Sequence, residues 1–141
     1  MRAAEFALDP RLQADTHPVT SLALCDVLLM DDARFTWLIL VPRRAGLVEI
    51  LDLPDEAQLV LWQEIRLVAT VMRDVVACDK LNIGALGNSV RQLHVHVIAR
   101  VEGDAAWPGP VWGHGRAEPY QALERRARIA LLRDRLAALA G

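Results

Sequence analysis

The stretch GNSVRQLHVHVIARV, residues 87–101, carries two of the chain's four histidines, one residue apart. In extended backbone, successive side chains point to opposite faces. Leu93, Val95, Val97, Ala99 and Val101 then share one face, which is wholly apolar and belongs on a core. Gln92, His94, His96 and Arg100 share the other with Ile98, and the pattern predicts this face to be open. Residues two apart on a strand stand about 6.5–7 Å apart, so both imidazoles can reach one small polar group such as a phosphate.

An isolated His-x-His on a half-exposed strand is more often a solvated face than a site. The flanking residues shift that balance. Gly87 suits a tight turn, Asn88 and Ser89 add an amide and a hydroxyl, and Asn82 adds another amide upstream. Such donors with paired imidazoles suit a phosphoryl group, whose oxygens accept hydrogen bonds and whose phosphorus accepts a nucleophile. Imidazole is a competent nucleophile near neutral pH. Two histidines are too few ligands for zinc, and His17 and His114 are remote in sequence, so no metal site is expected.

Upstream, KLNIGAL (80–86) reads as a strand paired antiparallel with the histidine strand across the Gly87-Asn88 turn signal. Before it lies the most secure helix, DLPDEAQLVLWQEIRLVATVMRDVVACDK (52–80). Asp52 is the expected N-cap, with Pro54, Asp55 and Glu56 suited to the first turn. Leu61, Ile65, Val68, Met72 and Val75 recur at helical steps as its apolar face, and Trp62, close to them, is expected in the core. Residues 20–30 and 35–42 read as an antiparallel hairpin, its second strand ended by Pro42. Residues 102–115 are rich in glycine and proline. From about 119 to 140 the chain is helical again, with Ile129, Leu132, Leu136 and Leu139 on one stripe and a solvated arginine-rich face. The whole is a single α+β domain over residues 1–141, an antiparallel sheet with one long helix and a C-terminal helix.

The chain has 141 residues and a formal charge of -2, which gives no basic field for general nucleic-acid binding. The two cysteines form neither a disulfide framework nor a metal pattern. No apolar run is long enough for a signal peptide or a membrane span, so a cytoplasmic location is the expectation.

The stretch GNSVRQLHVHVIAR resembles the signature of the histidine-triad (HIT) superfamily, a glycine-amide-Ser/Thr turn followed by His-x-His-x-His. LILVPR, LDLPDEA and the long helix follow the family's order upstream, and AWPGP resembles its Trp-Pro-rich tail; the resemblance covers about residues 20–113. It implies an α+β homodimer that binds a purine nucleotide or nucleotide conjugate and cleaves or transfers at the α-phosphate. The chemistry runs through a covalent nucleotidyl-histidine, with no cofactor and no protein-bound metal. By the resemblance His94 is the nucleophile and His96 a phosphate contact. Asn88, Ser89 and Asn82 are phosphate-side donors, Asp26 binds the ribose hydroxyls, and Leu24 and Cys25 wall the base pocket. Gln92 stands where the first histidine of the triad is expected; it could orient the His94 ring, but it cannot carry a proton as imidazolium does. Trp107 and Trp112, in the Pro/Gly-rich loop, are candidates for closing the site or for a subunit contact.

The alternatives belong to other classes. A nucleotide-binding regulatory module with little turnover is motivated by Gln92, and a structural protein with solvent-facing histidines is the plainest option. Nucleotide binding, seen as a raised melting temperature, separates the last from the first two.

Overall fold

A computed structural model describes residues 5–141. Five antiparallel strands form one sheet: β1 (Thr16–Ser21), β2 (Cys25–Met30), β3 (Thr36–Pro42), β4 (Lys80–Gly84) and β5 (Val95–Arg100). Their order across the sheet is β1-β2-β3-β5-β4. Three helices accompany them: α1 (Pro10–Asp15), α2 (Asp55–Val75) and α3 (Ala122–Ala140). The α+β class and the long and C-terminal helices agree with the reading of the sequence.

α2 and α3 cover one face of the sheet. Leu61, Ile65, Val68 and Met72 of α2 meet Leu38, Leu40, Val95, Val97 and Ala99, and α3 adds Leu132 and Leu136. On the opposite face Leu28, Ile39, Val41 and Ile98 pack with Leu12 of α1, Phe35, Trp37 and Val111. Both faces of β5 are therefore buried, and His94, His96 and Arg100 are each no more than 6% exposed. The open histidine face expected from alternation is instead roofed by α1, its leading segment and the tryptophan loop.

Four other expectations are corrected. The single strand expected over 20–30 is two, because the Glu64 carboxylate of α2 accepts the backbone N–H groups of Leu24 and Cys25 at 2.9 and 2.8 Å and bends the chain there. Asp52 does not cap α2. It sits in a 3-10 turn, Ile50–Asp52, and its carboxylate accepts from the N–H groups of Val48 and Glu49. Trp62 is not core but 54% exposed, since α2 turns only the Leu61 stripe to the sheet. Gly87-Asn88 is not a tight hairpin turn: β4 ends at Gly84 and β5 begins at Val95, which leaves residues 85–94 as a long connection with Gly87 at φ 67° inside it. Among the described residues no helix is long and apolar enough to cross a membrane.

Two ion pairs fasten the second face. Arg34 meets Asp32 through two nitrogens at 2.9 Å, and Arg100 meets Asp104 at 2.7 and 2.8 Å. Burial pushes the Asp32 carboxyl up, but bonds from the Arg34 side chain and from the N–H groups of Arg34 and Glu118 outweigh it and hold the group below the usual carboxylate range. The Arg100 guanidinium does the same to Asp104. The unfolded chain therefore takes up these protons first as pH falls. Thermal stability should be level above about pH 5 and decline steadily below about pH 4. A melting temperature that holds unchanged to about pH 3 would show that these carboxylates contribute nothing.

Candidate active site

The two histidines sit at the entry of β5. His94 precedes the first strand residue and His96 is the second. Their rings lie 4.9 Å apart, edge to face. Each ring is fixed by one hydrogen bond, and each bond determines a tautomer.

The Nδ1 of His94 lies 2.7 Å from the backbone carbonyl of Gln92. A carbonyl can only accept, so Nδ1 carries the proton and donates it. Nε2 is left with its lone pair available. The Nδ1 of His96 receives the indole N–H of Trp37 at 2.9 Å. An indole can only donate, so Nδ1 of His96 is bare and the neutral ring carries its proton on Nε2. Burial, reinforced by the charge of His94, drives the His96 pKa down to about 3. The pair thus offers one nucleophilic nitrogen beside one N–H donor.

The Gln92 side chain is turned away from the histidines. Its Nε2 donates to the carbonyl of Ala7 at 2.8 Å, and its Oε1 accepts from the N–H of Asp9 at 2.8 Å. A primary amide offers a donor and an acceptor side by side on one planar group, which matches a backbone segment at two points; the donor and acceptor nitrogens of imidazole point away from each other across the ring. The expectation that the Gln92 amide orients His94 is corrected: its main-chain carbonyl has that contact. The amide instead docks residues 7–9, and Asp9 caps α1 by accepting the N–H of Arg11. In Gln92→Ala the loss should be about 1–2 kcal/mol of local stability. Hydrogen exchange at the Asp9 amide should quicken about tenfold. Unchanged protection would show that other contacts hold the segment.

The remaining candidates divide. Ser89 lies in an exposed groove of about 510 Å3 with Arg11 and Arg91, and Arg11 reaches the Ser89 carbonyl at 3.5 Å. Asn88 is exposed on the same connection. Asn82 is engaged with Arg100, accepting from its guanidinium at 2.9 Å. Asp26 is paired with Arg43 at 3.2 Å and accepts from the Ser21 hydroxyl at 2.7 Å. Leu24 and Cys25 are not brought to the histidines at all: they belong to the core under α2, where burial and then the charge of Glu64 push the Cys25 thiol up.

Trp112 stands edge-on to His96 with centroids 5.4 Å apart, and Gly84 makes room for it, since a Cβ there would come within 3.2 Å of the indole. The N–H of Trp112 is buried without an acceptor among the described residues. Trp107 lies instead over the Arg100 guanidinium. The cavity touching His94 holds only about 20 Å3, bounded by Val48, Glu49, Gly87 and Leu93. A larger cavity, about 360 Å3, opens on the other side of Trp37, lined among others by Met30, Asp31, Arg34, Val111 and His114. Trp37 is thus a wall of that cavity and a partner of His96 at once.

Trp37, Arg11, Arg91 and the larger cavity were not singled out from the sequence. Trp37 carries a signal only in pairing, since its register places it on the histidine face of the sheet beside β5.

The HIT domain family matches residues 11–103. Among solved structures, a histidine triad protein from Bradyrhizobium japonicum is 47% identical, with 94% of this chain and 99% of that chain covered and a TM-score of 0.92. One from Sinorhizobium meliloti is 51% identical over 92% of this chain and 96% of that chain, with a TM-score of 0.90. One from Marinobacter aquaeolei is 46% identical over 96% and 99%, with a TM-score of 0.93. Comparison with curated proteins gives no match.

Proposed function

Since this chain belongs to the HIT domain family, we propose that it binds a purine nucleotide or nucleotide conjugate and cleaves or transfers it at the α-phosphate through His94. The carrying observation is the 2.7 Å contact that commits the His94 proton to Nδ1 and leaves Nε2 free to attack. The Nε2–phosphorus bond forms as the bond from phosphorus to the leaving group breaks, and the electron pair goes with the leaving group. The imidazole becomes formally cationic, and the Gln92 carbonyl facing Nδ1–H stabilises it. Water then attacks phosphorus and Nε2 recovers its electron pair; the water's extra proton passes to solvent. The N–H groups of His96 and Trp112, with Ser89, Arg11 and Arg91, supply donors for phosphoryl oxygens. The cavity beside Trp37 combines apolar walls with the Asp31 carboxylate, a combination suited to a base and ribose hydroxyls.

Asn88 and Ser89 fit the leaving-group side. Asn82 and Asp26 serve through Arg100 and Arg43 in this reading. Trp112 closes the site, and self-association is supported by exposed Leu59 and Trp62 and by the edge position of β4. Mass spectrometry of intact protein mixed rapidly with an AMP-linked probe tests the mechanism: a nucleotidyl adduct should map to His94.

A second reading, a nucleotide-binding module with little turnover, is favoured by Gln92, which stands at the expected first-histidine position and has its amide committed to Ala7 and Asp9. Binding of AMP by calorimetry with no cleavage of any AMP conjugate would select it.

A further inference from the structure

His96 is 5% exposed and Trp37 7%, so the bond between them is shielded from water on both sides. A shielded hydrogen bond with one possible polarity is a fixed choice of tautomer, and freeing either partner leaves an unsatisfied buried group. The two residues come from different strands, β3 and β5, whose register sets Trp37 beside Ile98 and Ile39 beside His96. The indole therefore reaches diagonally across the pair to the ring, and the sheet itself holds the donor in place.

We propose that Trp37 is a positioning residue for the reaction: its indole N–H holds His96 as the neutral ring with the proton on Nε2, so that His96 gives a phosphoryl oxygen a hydrogen bond and hands over no proton. This rests on the nucleotidyl-transfer reading for its purpose, though not for the state of the ring. Protonating His96 requires a proton on Nδ1, where the indole hydrogen already sits, so the imidazolium form must first break the Trp37 bond. The titratable groups on this face of β5 are His94 and Arg100, the latter paired with Asp104 from the following loop, and Glu49 bounds the cavity against His94. β3 presents Trp37, Ile39 and Val41, β4 presents Asn82 and Gly84, and the loop presents Trp112, all uncharged. With the amide of Gln92 committed to the backbone of residues 7–9, neither neighbour of the nucleophile in the motif delivers a proton to the departing group. Groups that leave as stable anions, such as phosphates, need none; amines do.

The test uses the full chain, labelled with 15N, and long-range proton–nitrogen spectra of the histidine rings. In the wild type, His96 should show a bare, hydrogen-bonded Nδ1 and a protonated Nε2. That state should not change between about pH 8 and about pH 5, a range over which an ordinary imidazole titrates. Titration of His96 within that range, or a proton found on Nδ1, overturns the proposal without any variant being needed. In Trp37→Phe, the His96 Nδ1 should lose its hydrogen-bonded signature and the ring proton should spread over both nitrogens. With an AMP ester carrying a chromogenic leaving group, kcat should fall about ten- to a hundredfold while KM moves less than about threefold. A kcat within about twofold of wild type overturns the positioning role. If the wild type turns over no nucleotide, the reading of function falls, while the spectra still decide the ring state because they need no substrate.

Discussion

His94→Ala should abolish adduct formation and lower turnover of an AMP conjugate by at least about 10^4-fold, a loss typical of removing a covalent nucleophile. AMP affinity should change by less than about tenfold, because His96, the Trp112 N–H and the arginine-lined groove persist. The asymmetry follows from the two tautomers. His94 is the ring with a free nitrogen, whereas His96 has its Nδ1 taken by Trp37 and a proton on Nε2. His96 therefore cannot attack in place of His94 without turning its ring and abandoning the indole bond. The measurement is single-turnover chromatography with an intact-mass readout. Turnover within about tenfold of wild type, or an adduct that moves elsewhere on the chain, would refute the assignment.

The second large effect concerns stability. Asp104→Ala should destabilise the fold by about 3–5 kcal/mol, since it leaves the Arg100 guanidinium, 2% exposed, without its carboxylate. For a domain of this size that is a fall in melting temperature on the order of 10 °C. Asn82 would still accept one of the Arg100 hydrogens, and Phe35 and Trp107 would still lie near the guanidinium, but none of them neutralises the charge. Combining Arg100→Met with Asp104→Leu should recover most of the loss, because the desolvated charge is then gone together with its partner. Calorimetric melting of the single and double variants checks both halves. A single variant that melts within about 2 °C of wild type would mean that water reaches Arg100.

Local periodicity made the helix over Leu61 to Met72 and the apolar face of β5 legible, because each depends only on the spacing of neighbours along the chain. Local pattern is silent where a distant group decides the conformation. The division of β1 from β2 depends on Glu64, about forty residues away in sequence, whose carboxylate takes two backbone N–H groups. Trp62 adjoins the buried stripe in sequence, but a helix rotates it about 100° from Leu61, and among the described residues no element covers it. The histidine face reads as open from sequence because alternation reports two faces and says nothing about what arrives on the second. Of the site, the two histidines were legible as a pair, while their tautomers were not: one is fixed by a main-chain carbonyl and the other by a tryptophan from another strand. Leu24 and Cys25, assigned by resemblance to the base pocket, lie in the core under α2.

The docking of residues 7–9 onto Gln92 joins segments more than eighty residues apart. During synthesis residues 7–9 lack this docking partner until the chain has grown more than eighty residues past them. The Asp9 cap of α1 is therefore anchored late, although α1 precedes every strand of the sheet in the chain. Until then the anchor that steadies α1 over this face of the sheet is missing.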